Sequence, residues 1–222
     1  MNIHEKVSKT IYSLLCEKVK NKSNVYVITI CGESGCGKTE TGKALVNEFQ
    51  KNGVLAILLG QDNYFFYPPL ENDAMRKKDA EWLGPHKEVN LELLNRHLLN
   101  AKNGANTISV PHINYDLNSR TTVPINIEGI EVIIVEGTYT SFLKYVDTKI
   151  FIDEDYKETL KYRKLRNRGN EVNDPFVENI LETEHKIIAG HKYLADLIIT
   201  KDYDVISTDE SILFLEDCES EK

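Results

Sequence analysis

Four cysteines are all the sequence carries, and Cys16, Cys31, Cys36 and Cys218 form neither a CxxC pair nor a Cys/His cluster with zinc spacing. That excludes a disulfide framework and a zinc module, and it fits reduced thiols in a cytoplasmic protein. No apolar run approaches the ~20 residues of a membrane span. Nothing at the amino terminus has the pattern of a signal peptide, so neither export nor a membrane partner is expected. Positive charge is also in short supply: 35 acids against 27 lysines and arginines give a net charge of −8, which argues against a nucleic-acid partner. Low-complexity segments and repeats at solenoid spacing are missing as well. What remains is an ordinary globular composition, 41% hydrophobic and 28% charged, spread over 222 residues. That is enough to fill the core of one domain spanning 1–222.

The apolar residues fall into alternating strand and helix patterns. In residues 1–22, Ile3, Val7, Ile11, Leu14, Leu15 and Val19 recur at helical intervals and predict a packing helix. Strands are expected at 25–30, 54–59, 107–110, 132–135, 150–152 and 197–199, and helices at 39–50 and 91–99. Continuous Val/Ile/Leu runs suit parallel strands buried on both faces. Strands separated by helices predict a doubly wound, mainly parallel α/β sheet with helices on both faces. Ligands of such sheets bind beyond the carboxyl ends of the strands. Polar residues collect there: a glycine loop after the first strand, Gln61-Asp62-Asn63 after the second, Glu136-Gly137 after "EVIIV", and Asp153 and Asp155 after "KIFI". The acidic tail 216–222 reads as frayed.

The glycine loop is the most specific of these. Gly32, Gly35, Gly37, Lys38 and Thr39 satisfy G-x-x-x-x-G-K-[ST] between a strand and a helix. This pattern curls backbone amides around phosphate oxygens, sends the lysine to the β- and γ-phosphates and offers the threonine hydroxyl to Mg²⁺. Gly32, Glu33, Ser34, Gly35, Cys36, Gly37, Lys38, Thr39 and Thr41 are therefore assigned to the nucleotide. A GTPase would add an N/T-K-x-D element and a D-x-x-G switch, but "ITKDYD" has Tyr203 where the aspartate should fall. A transport-type ATPase would add a second signature loop. Neither is present, which leaves phosphoryl transfer to a small molecule in front. Transfer needs a base, metal ligands and cations. Asp62 suits the base or a Mg²⁺ ligand, and these roles are not separable from sequence. Glu136 ends an apolar strand, where a metal shell would satisfy it. Lys157, Lys161, Arg163, Lys164, Arg166 and Arg168 crowd the segment 156–175, a candidate lid; a solvated helix face competes evenly with a phosphate clamp there.

Assembled in order, these motifs resemble the uridine kinase/phosphoribulokinase family of P-loop kinases. "GESGCGKT", "GQDNYF", "VPHINYDLNSR", "VIIVEG", "IFIDED" with its following arginines, and "HKYLADLIIT" are similar to successive family segments from about residue 24 to about 202. The resemblance implies ATP as donor, Mg²⁺, and Asp62 as catalytic base beside Lys38. It implies Glu136 as a metal-site acid with Thr39, and Arg163 and Arg166 as catalytic lid cations with Arg168 on the nucleotide. It places Tyr115, Asp116 and Arg120 at the acceptor, with Tyr64 beside them; the aromatic-proline run 64–69 equally suits the edge of the core. The acceptor is expected to be a nucleoside such as uridine or a sugar-like compound. Same-family alternatives are a sugar phosphate, a pantothenate-like compound or nicotinamide riboside, and a regulator that binds nucleotide without transfer is the rival class. ATP against GTP and homo-oligomer formation are left open. Three departures all fall on the acceptor side. "LGPHKEVN" stands where uridine kinases carry "DHPDAFD", so an acid for a ribose hydroxyl is either missing or moved to Asp79. Only Leu117, Asn118 and Ser119 separate "YD" from Arg120, and the lid is short.

Overall fold

Residues 2–79, 81–166 and 174–208 are described by the structure, a computed structural model. Strand β1 (Tyr26–Gly32) is buried at every position. Its side chains serve two cores in alternation: Ile28 and Ile30 face one side of the sheet, Val27 the other. The first side is covered by α1 (Ile3–Lys20) and α2 (Lys38–Lys51). Helix α1 buries Val7, Ile11, Leu15 and Val19 at four-residue intervals, the stripe expected from the sequence. Its start is fixed by a capping box in which the Asn2 side chain accepts from the His4 N–H and Glu5 accepts from the Asn2 N–H. The second side is covered by α4 (Leu91–Lys102), through Leu94 and Leu98, and by α6 (Pro175–Ile188), through Ile188.

The central sheet has six strands in the order β2-β5-β1-β6-β7-β8, where β2 is Ala56–Gly60, β5 Val132–Glu136, β6 Thr148–Ile152, β7 Leu197–Ile199 and β8 Val205–Ser207. All neighbours are parallel except β7 and β8. This is the doubly wound, mainly parallel sheet with helices on both faces that the sequence predicts. Three strands fall outside that expectation. The 107–110 strand belongs to β3 (Thr107–Asn114), which pairs antiparallel with β4 (Ser119–Asn126) in a separate hairpin. Burial alternates over its first four residues because only one face is covered, which distinguishes it from a central strand. Strand β8 adds an antiparallel edge. Helices α3 (Pro69–Lys78) and α6 were not foreseen, although Asp174 before Pro175 is a helix-start pattern and the Asp174 side chain caps the Phe176 N–H. No helix among the described residues is long and apolar enough to cross a membrane.

One ion cluster pins the amino-terminal end of β1. The Asp147 carboxylate accepts from the Val27 N–H at 2.8 Å, from Lys102 of α4, and from Lys22 at 3.0 Å. Burial works against this charge, but the hydrogen bonds from Lys102, Val27 and Lys22 outweigh it and hold the carboxyl below its ordinary range. A depressed folded-state pKa adds stability above the unfolded value and loses it as the pH falls through the folded one. Asp147→Ala should therefore cost about 1–2 kcal/mol near pH 7, allowing for solvent screening of a partly exposed group. In urea titrations the gap from wild type should shrink below about pH 4.

Candidate active site

The phosphate loop is built by two strained glycines. Gly35 and Gly37 both have φ of +89°, a conformation that side chains disfavour. A Cβ at Gly35 would meet Arg163 Cγ at 2.9 Å, and one at Gly37 would meet the His4 ring at 2.8 Å. Lys38 opens α2, and its ammonium donates to the carbonyls of Gly32 (3.0 Å) and Glu33 (2.7 Å). Burial acts to lower the pKa of Lys38, but the negative charges of Cys36 (when ionised), Glu136 and Asp62 carry it above the ordinary lysine value. The lysine is therefore cationic and electrostatically tied to both carboxylates. Glu33 is buried and bonded to His185 of α6 at 2.7 Å, with its pKa raised chiefly by burial. The Cys36 thiol is buried and pushed up to about 11, again by burial, so it is an inert packing group. Thr41 is likewise buried, 3.0 Å from His4 of α1.

A cleft of about 490 Å³ opens at the carboxyl edge of the sheet. Ser34, Gly35, Lys38, Thr39, Glu40 and Lys43 line its loop end; Gln61, Asp62, Glu136, Thr138, Tyr139, Phe65, Tyr115 and Glu184 line the remainder. Strand register explains the convergence: Glu136 is paired with Ile30 of β1 on one side and with Gly60 of β2 on the other. Asp62 follows in the short 3₁₀ turn Gln61–Tyr64. The two strand ends are locked by Gln61, whose Oε1 accepts from the Tyr139 N–H at 2.7 Å. Gly137 allows this approach, since a Cβ there would lie 2.3 Å from Gln61 Cβ. Asn63 in the same turn accepts from the Ile113 N–H at 3.0 Å and so fixes the β3–β4 hairpin against it.

Thr39, Asp62 and Glu136 thus share one cleft, a hydroxyl and two carboxylates. An all-oxygen set of so few protein ligands fits Mg²⁺, which keeps waters and shares its coordination with substrate phosphates. The described residues contain no group of three or more His, Cys, Asp or Glu that could hold a metal by themselves.

Several expected residues lie elsewhere. Tyr64 is fully buried with its hydroxyl 2.9 Å from His97 Nδ1, so it belongs to the core; Phe65 reaches the cleft instead. In a turn of three residues per revolution, residues 62 and 65 share a side and residue 64 turns away. Tyr115, at the tip of the hairpin, lines the cleft, but Asp116 and Arg120 are exposed and do not. Arg163, on the short helix α5 (Leu160–Arg166), lies buried beneath the glycine loop, donating to the Tyr156 carbonyl at 3.1 Å and pairing with Glu178 at 3.7 Å. It braces the loop here and does not line the cleft as a lid cation. The side chain of Arg166, together with Arg168, the lid segment 167–173 and the tail 216–222, lies outside the described residues.

The "LGPHKEVN" segment holds a structural hub. Glu88 is fully buried and accepts from Gly84 N–H (3.0 Å), Asn72 (3.1 Å), Arg76 (2.8 Å) and the Tyr139 hydroxyl (3.3 Å). Asp79 pairs with Lys87 at 3.6 Å and does not line the cleft, so it does not replace the missing acid. An acid does line the cleft from α6: Glu184, buried, with its carboxyl pushed up to about 7 by burial, against the pull of Arg76. Sequence reasoning missed it, although a glutamate between Ile180 and Ile188 on a helix stripe was a visible signal.

Comparison with known proteins identifies the family. The model of the phosphoribulokinase/uridine kinase family matches residues 27–201. The bifunctional α-galactosidase/sucrose kinase of Mediterraneibacter gnavus is 30% identical over 204 residues, covering 85% of this chain and 22% of that protein. The uridine kinase of Saccharomyces cerevisiae is 33% identical over 150 residues, covering 64% of this chain and 28% of its own length. The chain therefore spans under a third of either relative. Among solved structures, D-glycerate 3-kinase from Cryptococcus neoformans superposes with a TM-score of 0.62 at 13% identity, covering 93% of this chain and 99% of the other, a likeness of fold alone. With the glycine loop, its lysine and the strand-end acids in one cleft, and the family model matched across most of its length, the chain belongs to the phosphoribulokinase/uridine kinase family of P-loop kinases.

Proposed function

We propose that the protein transfers the γ-phosphate of ATP to a hydroxyl of a small metabolite, a nucleoside such as uridine or a sugar-like compound. The observation that carries this is the meeting of Lys38, Asp62 and Glu136 in one cleft, since a protein that only bound nucleotide would have little use for Asp62. The backbone amides of residues 32–39 would hold the triphosphate, and Lys38, released from its loop carbonyls, would steer the γ-phosphate. Asp62 is exposed and lines the cleft, where it would take the proton of the attacking hydroxyl. Thr39, Glu136 and Asp62 would hold Mg²⁺, which supplies neutralisation of phosphate charge when bound. Arg166 and Arg168 stay as proposed lid cations. Among the curated relatives, the sucrose kinase supports the sugar-like acceptor and the uridine kinases support the nucleoside. Free thiols at Cys16, Cys31 and Cys36 support a cytoplasmic setting.

A screen of ADP release over nucleosides, sugars, sugar phosphates and vitamins, with mass detection of the product, tests the reaction. On the acceptor so identified, Lys38→Ala should lower kcat by at least about 10²-fold. Asp62→Asn should lower kcat by about 10²–10⁴-fold while calorimetric ATP affinity stays within a few-fold of wild type. Near-normal turnover by Asp62→Asn would remove the base assignment, and ATP hydrolysis indifferent to every acceptor would favour a regulator or ATPase.

A further inference from the structure

Beside the exposed Glu40, which pairs with Lys43, the cleft contains one buried carboxyl to which phosphoryl transfer gives no task. Glu184 is only 7% exposed and faces the cleft beside Lys38 and Tyr139. Among the described residues it has neither a hydrogen-bond nor an ion-pair partner. The charged groups around it are Arg76 from α3, Glu88 from the segment after it, and Lys38 and Glu33 from the glycine loop. Neither cation closes on it. The Arg76 guanidinium is held by Glu88 at 2.8 Å and Asp73 at 3.5 Å, and the Lys38 ammonium by two loop carbonyls. A carboxyl so deeply buried is costly until something hydrogen-bonds it. Since it opens on the cleft, a bound molecule can do so.

The surrounding charge restricts what that molecule can be. Among the described residues the cations lining the cleft are Lys38 and Lys43, both at the phosphate-loop end. Beyond them stand Asp62, Glu136 and Glu184, with the rings of Phe65 and Tyr115 as walls. With Asp62 and Glu136 given to Mg²⁺, Glu184 is the acid left to oppose an anionic acceptor and to take hydroxyl donors, while aromatic walls suit the flat apolar face of a ring. We propose that Glu184 is a specificity-determining residue that binds a hydroxyl of an uncharged polyhydroxyl acceptor and disfavours phosphorylated ones, an assignment that rests on the phosphotransfer reading above. With the carboxyl titrating near 7, both of its forms occur near neutral pH, and either can hydrogen-bond a hydroxyl.

The test compares uridine, ribose, glucose and sucrose with uridine monophosphate, ribose 5-phosphate and glucose 6-phosphate, in wild type, Glu184→Ala and Glu184→Gln. Wild type should turn over a neutral compound in preference to its phosphorylated partner. Glu184→Ala should raise the KM for that acceptor about tenfold or more. Glu184→Gln, whose amide also accepts a hydroxyl proton, should recover part of the loss. In both variants kcat and the KM for ATP should stay within about threefold of wild type, a split that a purely structural role would not give. Glu184→Gln removes a buried charge and should melt at or above wild type at pH 8, because an acid whose folded pKa is raised destabilises the fold above that value. An unchanged acceptor KM in both variants, a Glu184→Gln protein that melts below wild type, or preference for the phosphorylated partner would each overturn the assignment. Failure of wild type to phosphorylate any acceptor, with ATP still consumed by water, would instead sink the phosphotransfer reading and this assignment with it.

Discussion

The in-register pairing of β5 with β1 and β2 is the constraint on which the cleft depends. Because Gly60 and Glu136 stand side by side, the turns after β2 and β5 leave the sheet at one level, and β1, level with them at Ile30, runs only two residues further to Gly32 before the glycine loop. The glycine loop, Asp62 and the Glu136-Gly137 turn then have no alternative but to face one another. The Gln61–Tyr139 hydrogen bond and the side-chain-free Gly137 convert that proximity into a fixed distance. A one-residue slip of either strand would exchange the faces of every side chain and take the acids away from Lys38.

Charge is arranged around this frame in two unlike halves. At the loop end, glycine-shaped backbone and the cationic Lys38 suit a polyanion. The other end carries three acids, Asp62, Glu136 and Glu184, and two aromatic rings, Phe65 and Tyr115. Lys38 lies between them, raised in pKa by Glu136 and Asp62 against its own burial. The halves are joined mechanically as well as electrostatically. His185 of α6 binds Glu33 of the loop while its neighbour Glu184 faces the cleft, so one helix touches the glycine loop and the cleft in consecutive residues.

The acceptor side is also where the chain departs from the uridine kinase pattern. The segment that would present an aspartate to a ribose instead buries Glu88 under four donors, two of them from α3 and one from Tyr139. That carboxylate is fully occupied in holding the wall together. The carboxyl that faces the cleft comes from α6, far along the chain, and the wall and the polar contact are thereby carried by different elements.

What the sequence determined by itself was local or periodic. Continuous Val/Ile runs at β1 and β5 gave the buried parallel strands, the four-residue apolar stripe gave α1, and the glycine spacing with Lys38 gave the phosphate loop, because each needs only residues close in the chain. Asp62 and Glu136 were legible because they end such strands. Tertiary structure decided whatever depended on side-chain direction or on distant partners. Tyr64 turned into the core beside His97, Arg163 went beneath the loop to Tyr156 and Glu178, and β3 left the sheet for a hairpin with β4. Glu88 and Glu184 look alike in the sequence, two glutamates among mixed neighbours. One is saturated by hydrogen bonds and the other is open to the cleft only because α3, α6 and the strand-end turns close around them, and no local pattern encodes which partners a buried carboxyl will meet.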